Sequence, residues 1–188
     1  MYDLKSSKAV YKSDWMVVYE DSLVDTEKGI EGMFNRITVN DAVIILPIFE
    51  DRSILMLVNY RHGAGTNLLE LPGGLVQANE NPSDTARREL LEETGYVCDT
   101  LEYINFFYTW PARASQKNFV FVAKGLKRGD IKFNEKQATV QQTQNHSEHF
   151  EYIGASMVIS KEQIVQGLKN GSITSAITTS ALLYGYFV

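Results

Sequence analysis

Three carboxylates, Glu89, Glu92 and Glu93, stand at i, i+3 and i+4 in the run RRELLEETGY, a spacing that puts all three on one face if the run is helical. For an isolated helix this is unfavourable. Like charges so spaced destabilise by roughly 0.2 to 0.5 kcal/mol per pair. The last turn, where Glu92 and Glu93 fall, disfavours negative charge by roughly another 0.3 to 1 kcal/mol each through the helix dipole. A bound cation reverses both terms. Carboxylate oxygens suit a hard divalent ion such as magnesium or manganese, which keeps several waters and bridges to substrate phosphates. The other reading is a solvated acidic face, with Arg88 paired to Glu92 one turn away.

The elements that must hold these residues are marked in the chain. Asn81 is an N-cap residue, Pro82 sits at the first helical position, where its missing N–H costs nothing, and Gly95 supplies the stop. Before the helix, the runs WMVVYEDSLV and MFNRITV predict an antiparallel hairpin or small sheet between Trp15 and Val39. DAVIILPIFEDRSILMLVNY predicts two strands turning near Glu50 to Ser53, both apolar enough to be buried on two faces in a central sheet. LEYINFFYTW and KNFVFVAKGL predict two more strands, and FEYIGASMVI a last one. KEQIVQGLKNGSI and SAITTSALLYGYF predict two helices parted at Asn170-Gly171, and the polar run from Asn134 to His149 predicts a long loop. The order is mixed α and β, with no internal repeat.

Composition narrows the class. At 188 residues, 44% hydrophobic and 22% charged, the chain has the make-up of a globular protein with one main core. A net charge of −5 gives no reason to expect a nucleic-acid duplex or an anionic membrane as partner. An anionic substrate would need local positive charge to offset it. The single cysteine, Cys98, excludes an internal disulfide and fits a reducing, cytoplasmic compartment. The first residues lack a signal-peptide core, and the apolar stretch from Ile173 is too short and too polar to span a membrane.

The pattern around the glutamates is longer than the acidic face. Gly74 is followed after five residues by Glu80, then after seven by Arg88-Glu89-Leu90, one residue, Glu92-Glu93, one residue, Gly95 and Tyr96. It resembles the complete box of the Nudix hydrolases, departing only at Tyr96, where an aliphatic residue is more usual. The resemblance implies an α+β Nudix fold, a mixed sheet sandwiched between helices. It implies that Glu89, Glu92 and Glu93 ligate Mg2+, with Mn2+ a substitute, and that a carbonyl near Gly73 contributes. Glu92, Glu93 and Arg88 then serve catalysis, while Glu80, Arg88, Gly74 and Gly95 keep loop and helix in register. The reaction implied is hydrolysis of a diphosphate linkage.

The flanks bear on the substrate. LVNYRHGAGTNLLELPGGL resembles the ADP-ribose pyrophosphatase branch, in which an arginine after the strand and a glutamate before the glycines touch substrate; here these are Arg61 and Glu70. Pro111, fifteen residues beyond Tyr96, falls near that branch's diagnostic proline, although a proline there is also an ordinary turn residue. SEHFEYIGASMVISKEQIVQGLKNGSITSA resembles the branch's catalytic loop, last strand and helix pair, which makes Glu148, or else Glu151, the general base. His146 and His149 in the same loop are either proton-transfer aids or surface histidines. The resemblance divides the chain into an N-terminal β region, 1–40, that pairs two subunits, and a Nudix domain, 41–188. Trp15 and Phe34 would pack on a base, across the dimer or in a core. ADP-ribose or a related nucleoside diphosphate sugar is the expected substrate. A dinucleotide, coenzyme A, an oxidised nucleoside triphosphate, or a nucleotide sensed without turnover are the alternatives.

Overall fold

A computed structural model describes residues 1–129 and 152–187. The chain divides into two compact units. One comprises Met1–Asp41 with Tyr108–Lys117, the other Ala42–Phe107 with Asn118–Val188.

The first unit is built on an antiparallel sheet in the order β1 (Tyr2–Lys12), β2 (Val17–Asp25), β3 (Glu31–Thr38). The expected hairpin is its β2–β3 pair. β1 is an addition: its residues are exposed throughout, so it lacks the apolar alternation by which a half-buried strand is recognised. A three-stranded sheet of this kind buries little by itself. The segment Tyr108–Lys117 returns to it through Ile37 N–H, which donates to the Arg113 carbonyl at 2.7 Å, and Lys117 N–H, which donates to Asp41 at 2.8 Å.

In the second unit β4 (Ala42–Pro47) is buried along its whole length. It pairs in parallel with β9 (Lys117–Arg128) and antiparallel with β7 (Gly73–Leu75), and β8 (Tyr96–Tyr108) completes a sheet in the order β7-β4-β9-β8. β5 (Ile54–Arg61) joins β6 (Thr66–Glu70) and β10 (Tyr152–Ile159) in a second sheet, order β10-β5-β6. The two apolar strands expected in one central sheet therefore belong to different sheets, with the Ile48–Ile54 bridge between their ends. They part at the turn where Arg52 adopts φ 69°. Apolar strands of this kind look alike in sequence whichever sheet they enter.

Period-two alternation sorts the core. Ile44, Leu46, Val120 and Val122 face one cluster with Met56, Ile164 of α2 (Lys161–Asn170) and Leu182 of α3 (Ala176–Leu182). Val43, Ile45, Phe121 and Ala123 face the other, closed by Ala86 and Leu90 of α1 (Pro82–Thr94). The β4–β9 pair is thus covered by helices on both faces, the α+β sandwich that the resemblance implies. Among the described residues no helix is long and apolar enough to cross a membrane.

Candidate active site

α1 begins and ends where its cap residues dictate. The Asn81 side chain accepts from the N–H groups of Ser83 and Asp84 at 3.0 Å each, Pro82 follows, and Gly95 closes the helix in the left-handed region at φ 70°, donating to the Leu91 carbonyl at 2.8 Å. With Ala86 and Leu90 anchored in the core, Glu89 and Glu93 meet the glycines of β7 and Glu92 faces solvent; the Glu89 side chain is 14% exposed and that of Glu92 46%.

Arg88 binds this face together. Its Nε and Nη2 donate to the two oxygens of Glu80 at 3.0 Å each, while Nη1 donates to Glu89 at 2.7 Å and to Glu92 at 3.0 Å. The hydrogen bonds from Arg88 hold the Glu80 carboxyl down at about 2, and Glu80 in turn raises the guanidinium's already high value. Glu93 reaches a different partner: its Oε2 accepts from Gly73 N–H at 2.8 Å, tying the end of α1 to β7. β7 itself requires glycines. A Cβ at Gly73 would run into the Val43 carbonyl of the adjacent strand, and one at Gly74 into the Glu89 carboxylate.

Tyr96, the departure from the expected pattern, packs edge-on against Phe49 with ring centroids 5.8 Å apart and lies under the Arg128 guanidinium at 4.4 Å. The same Arg128 donates to the Thr94 carbonyl at 3.5 Å. It brings a cation to a helix end that has none of its own in the last turn.

Arg61 and Glu70 come together on neighbouring strands, Arg61 Nε donating to Glu70 Oε2 at 2.7 Å. Glu70 is nearly buried and Arg61 about half exposed, its side chain at 46%. Asn59 shares their strand face and is a residue sequence reasoning missed. Its Nδ2 lies 3.5 Å from Glu70 Oε2, and among the described residues its buried Oδ1 has no hydrogen-bond partner. The available signal was a polar residue at an inward position, two places after Leu57 and two before Arg61.

Pro111 lies in the first unit, on an open cavity of about 360 Å3 lined also by Phe34, Arg36, Tyr108 and Arg113. The Arg113 guanidinium sits 4.3 Å from the centre of the Phe34 ring and donates to the Asn35 carbonyl at 3.1 Å. Arg36 is fixed by Asp21 at 2.6 Å and lies 4.1 Å over Tyr19. Both arginines went unmarked in the sequence, where neither belongs to a motif. Trp15 is 46% exposed and does not line this cavity. Glu148, Glu151, His146 and His149 lie outside the described residues.

Among the described residues no three His, Cys, Asp or Glu side chains stand together closely enough to hold an ion as they are placed. The donor chemistry nonetheless fits one. Glu89, Glu92 and Glu93 offer only carboxylate oxygens from adjacent turns of one helix, and the bare Cα of Gly74 lets the Glu89 carboxylate lie against β7.

Comparison with known proteins agrees with this class of site. The NUDIX domain model matches residues 38–155, well over half of the chain, and the chain belongs to that family. Within it, the chain is similar to members of the ADP-ribose pyrophosphatase branch. It is 38% identical over 85 residues to an ADP-ribose pyrophosphatase of Bacillus subtilis, an alignment spanning 45% of this chain and 46% of that protein. It is 30% identical over 129 residues to a methanol dehydrogenase activator of Bacillus methanolicus, spanning 59% of this chain and 70% of that one. The chain thus spans under half of the pyrophosphatase and about two-thirds of the activator. Its fold matches a crystal structure of an ADP compounds hydrolase with a TM-score of 0.79 at 22% identity, covering 97% of this chain and 91% of the other. Nudix hydrolases generally use a divalent metal.

Proposed function

We propose that this chain hydrolyses the diphosphate linkage of ADP-ribose or a related nucleoside diphosphate sugar, releasing a nucleoside monophosphate and a sugar phosphate. The observation that carries this reading is the end of α1, where Glu89 lies against Gly74, Glu93 accepts from Gly73 N–H, and Arg88 ties Glu89 and Glu92 to Glu80. Glu89, Glu92 and Glu93, with a carbonyl near Gly73, would hold Mg2+, for which Mn2+ can substitute. Bound there, the ion neutralises charge developing at phosphorus and acidifies water.

The chain's own residues do the rest. Arg88 and Glu80 keep the loop before α1 against the helix. Arg61, with Nε engaged by Glu70, would supply the positive charge that an acidic protein must offer an anionic substrate. Glu148, or Glu151, takes the proton from the attacking water. The cavity of the first unit, with Pro111 on its wall and the Phe34 ring beside the Arg113 guanidinium, by itself suits a flat aromatic group.

The same reading makes the N-terminal sheet the surface that pairs two subunits, since β1 exposes Tyr2, Leu4, Val10 and Tyr11. Light scattering tests this, and a monomer would overturn it. The lone Cys98 fits a reducing cytoplasm. One relative's name, an activator of another enzyme, favours a second reading, in which the chain acts on a protein partner through a bound nucleotide. The retained Glu80, Glu89, Glu92 and Glu93 favour turnover over sensing.

The deciding experiment incubates the chain and Mg2+ with ADP-ribose, other nucleoside diphosphate sugars, dinucleotides, coenzyme A and oxidised nucleoside triphosphates, and identifies products by mass spectrometry. ADP-ribose or a nucleoside diphosphate sugar is expected to be cleaved fastest. No turnover of any compound would sink the enzyme reading.

A further inference from the structure

We propose that the Arg88 guanidinium competes with the divalent ion for Glu89 and Glu92, so that the ion binds by displacing one arm of this side chain while the rest stays on Glu80. The inference rests on the metal reading of the α1 glutamates given above. The geometry splits the guanidinium into two working parts. Nε and Nη2 are committed to Glu80, both at 3.0 Å, in a paired contact that fixes the plane of the group. Nη1 alone spans Glu89 and Glu92, at 2.7 Å and 3.0 Å.

Those two carboxylates are ones a hard ion would need, and an oxygen lone pair pointed at an N–H is not available to a metal. Arg88 therefore does in part what an ion would do. It relieves the repulsion between Glu89 and Glu92, which lets the acidic face fold, and it lowers the ion's apparent affinity by the free energy of moving Nη1. A guanidinium does not shed its proton, so this competitor can be displaced but not switched off. Glu80 keeps it within reach, because its two hydrogen bonds do not involve the exchanged arm. Arg87 is a built-in control. It is the adjacent residue and carries the same charge, but it is exposed and its Nη1 reaches the Cys98 sulfur at 3.7 Å instead of the glutamates.

The test counts free Mn2+ by electron paramagnetic resonance in titrations of the full chain as wild type, Arg88→Gln, Arg87→Gln and Glu92→Gln, each checked for folding by circular dichroism. Arg88→Gln is expected to bind Mn2+ roughly three- to tenfold more tightly than wild type, the worth of two partly exposed ion pairs no longer in competition. Arg87→Gln should stay within about twofold of wild type, since an exposed charge is screened. Unchanged or weaker binding by a folded Arg88→Gln overturns the inference, as does equal tightening by Arg87→Gln, which would be a plain charge effect. Should Arg88→Gln not fold, a Mg2+ titration of wild type decides, followed by the nitrogen resonances of the Arg88 side chain. The exchange requires the Nη signal to move while Nε keeps its place, and an unmoved Nη signal overturns it. Wild type that binds no Mn2+, or Glu92→Gln that binds as wild type does, overturns the metal reading itself and this inference with it.

Discussion

The acidic face of α1 and the arginine-lined cavity of the first unit hold charge by opposite means. On α1 the partners come from a short stretch of chain: Arg88 is shared by Glu80, Glu89 and Glu92, which leaves negative charge in excess, and Gly73 anchors Glu93. In the cavity the partners are far apart in sequence, Arg113 reaching Asn35 across 78 positions and resting on the Phe34 ring. Arg36 there is balanced by Asp21, whereas among the described residues Arg113 has no carboxylate within ion-pair distance. A cluster left with excess negative charge suits a role in which a cation is bound. An arginine left without a counter-charge beside an aromatic ring suits holding a ligand. Changes on α1 should therefore strike the chemical step, and changes in the cavity should strike binding.

The largest effect is expected from Glu93→Gln, which keeps the volume and an acceptor for Gly73 N–H but removes a charge. The turnover rate should fall roughly a hundred- to a thousandfold, as when one preorganised electrostatic contact is lost. Steady-state kinetics on a variant of unchanged thermal midpoint checks it, and near-normal turnover would move the metal site. Gly74→Ala comes next, because its methyl group must displace the Glu89 carboxylate. Divalent-metal affinity should drop roughly 10- to 100-fold, as for groups that orient metal ligands, with a stability loss of about 1–3 kcal/mol from overpacking. Calorimetric titration and thermal melts measure the two separately.

Glu80→Gln tests the support beneath that face. The folded chain holds Glu80 at about 2, against an ordinary value of 4.5. Since the folded value is the lower one, its stabilisation is fully present above 4.5 and is lost as the pH falls toward 2. The stability gap between wild type and Glu80→Gln should be about 1–2 kcal/mol at neutral pH, the worth of hydrogen bonds to a charged group, and should close toward pH 2. Thermal melts across this range check it; a gap independent of pH would mean that the Arg88 contact is not its source. The smallest effect belongs to the cavity. Arg113→Gln or Phe34→Ala should raise KM by roughly two- to fivefold at nearly constant kcat, the size of a partly exposed cation–aromatic contact. A fall in kcat at constant KM would erase the contrast between the two regions.

The same contrast explains what could be read from the sequence. α1 was legible down to its caps, because Asn81, Pro82 and Gly95 act on the backbone next to them and the glutamates are related by one helical turn. The Arg88–Glu80 contact is likewise local. β1 was invisible because an exposed strand owes its place to pairing with β2 and has no apolar periodicity of its own. The separation of β4 from β5 into two sheets depends on β9 and β10, which arrive much later in the chain. Arg36 and Arg113 acquire meaning only when Tyr108–Lys117 folds back on β3. Asn59 gains a role only through Glu70 on the neighbouring strand, eleven positions away.

The most direct test of the account is the initial rate of ADP-ribose hydrolysis by the wild-type chain as Mg2+ is raised from a chelated start, with products identified by mass. Expected are no turnover under chelation, a saturable rise with Mg2+, and AMP with ribose 5-phosphate as the only products. A rate that ignores the metal, or products from cleavage outside the diphosphate, would contradict it.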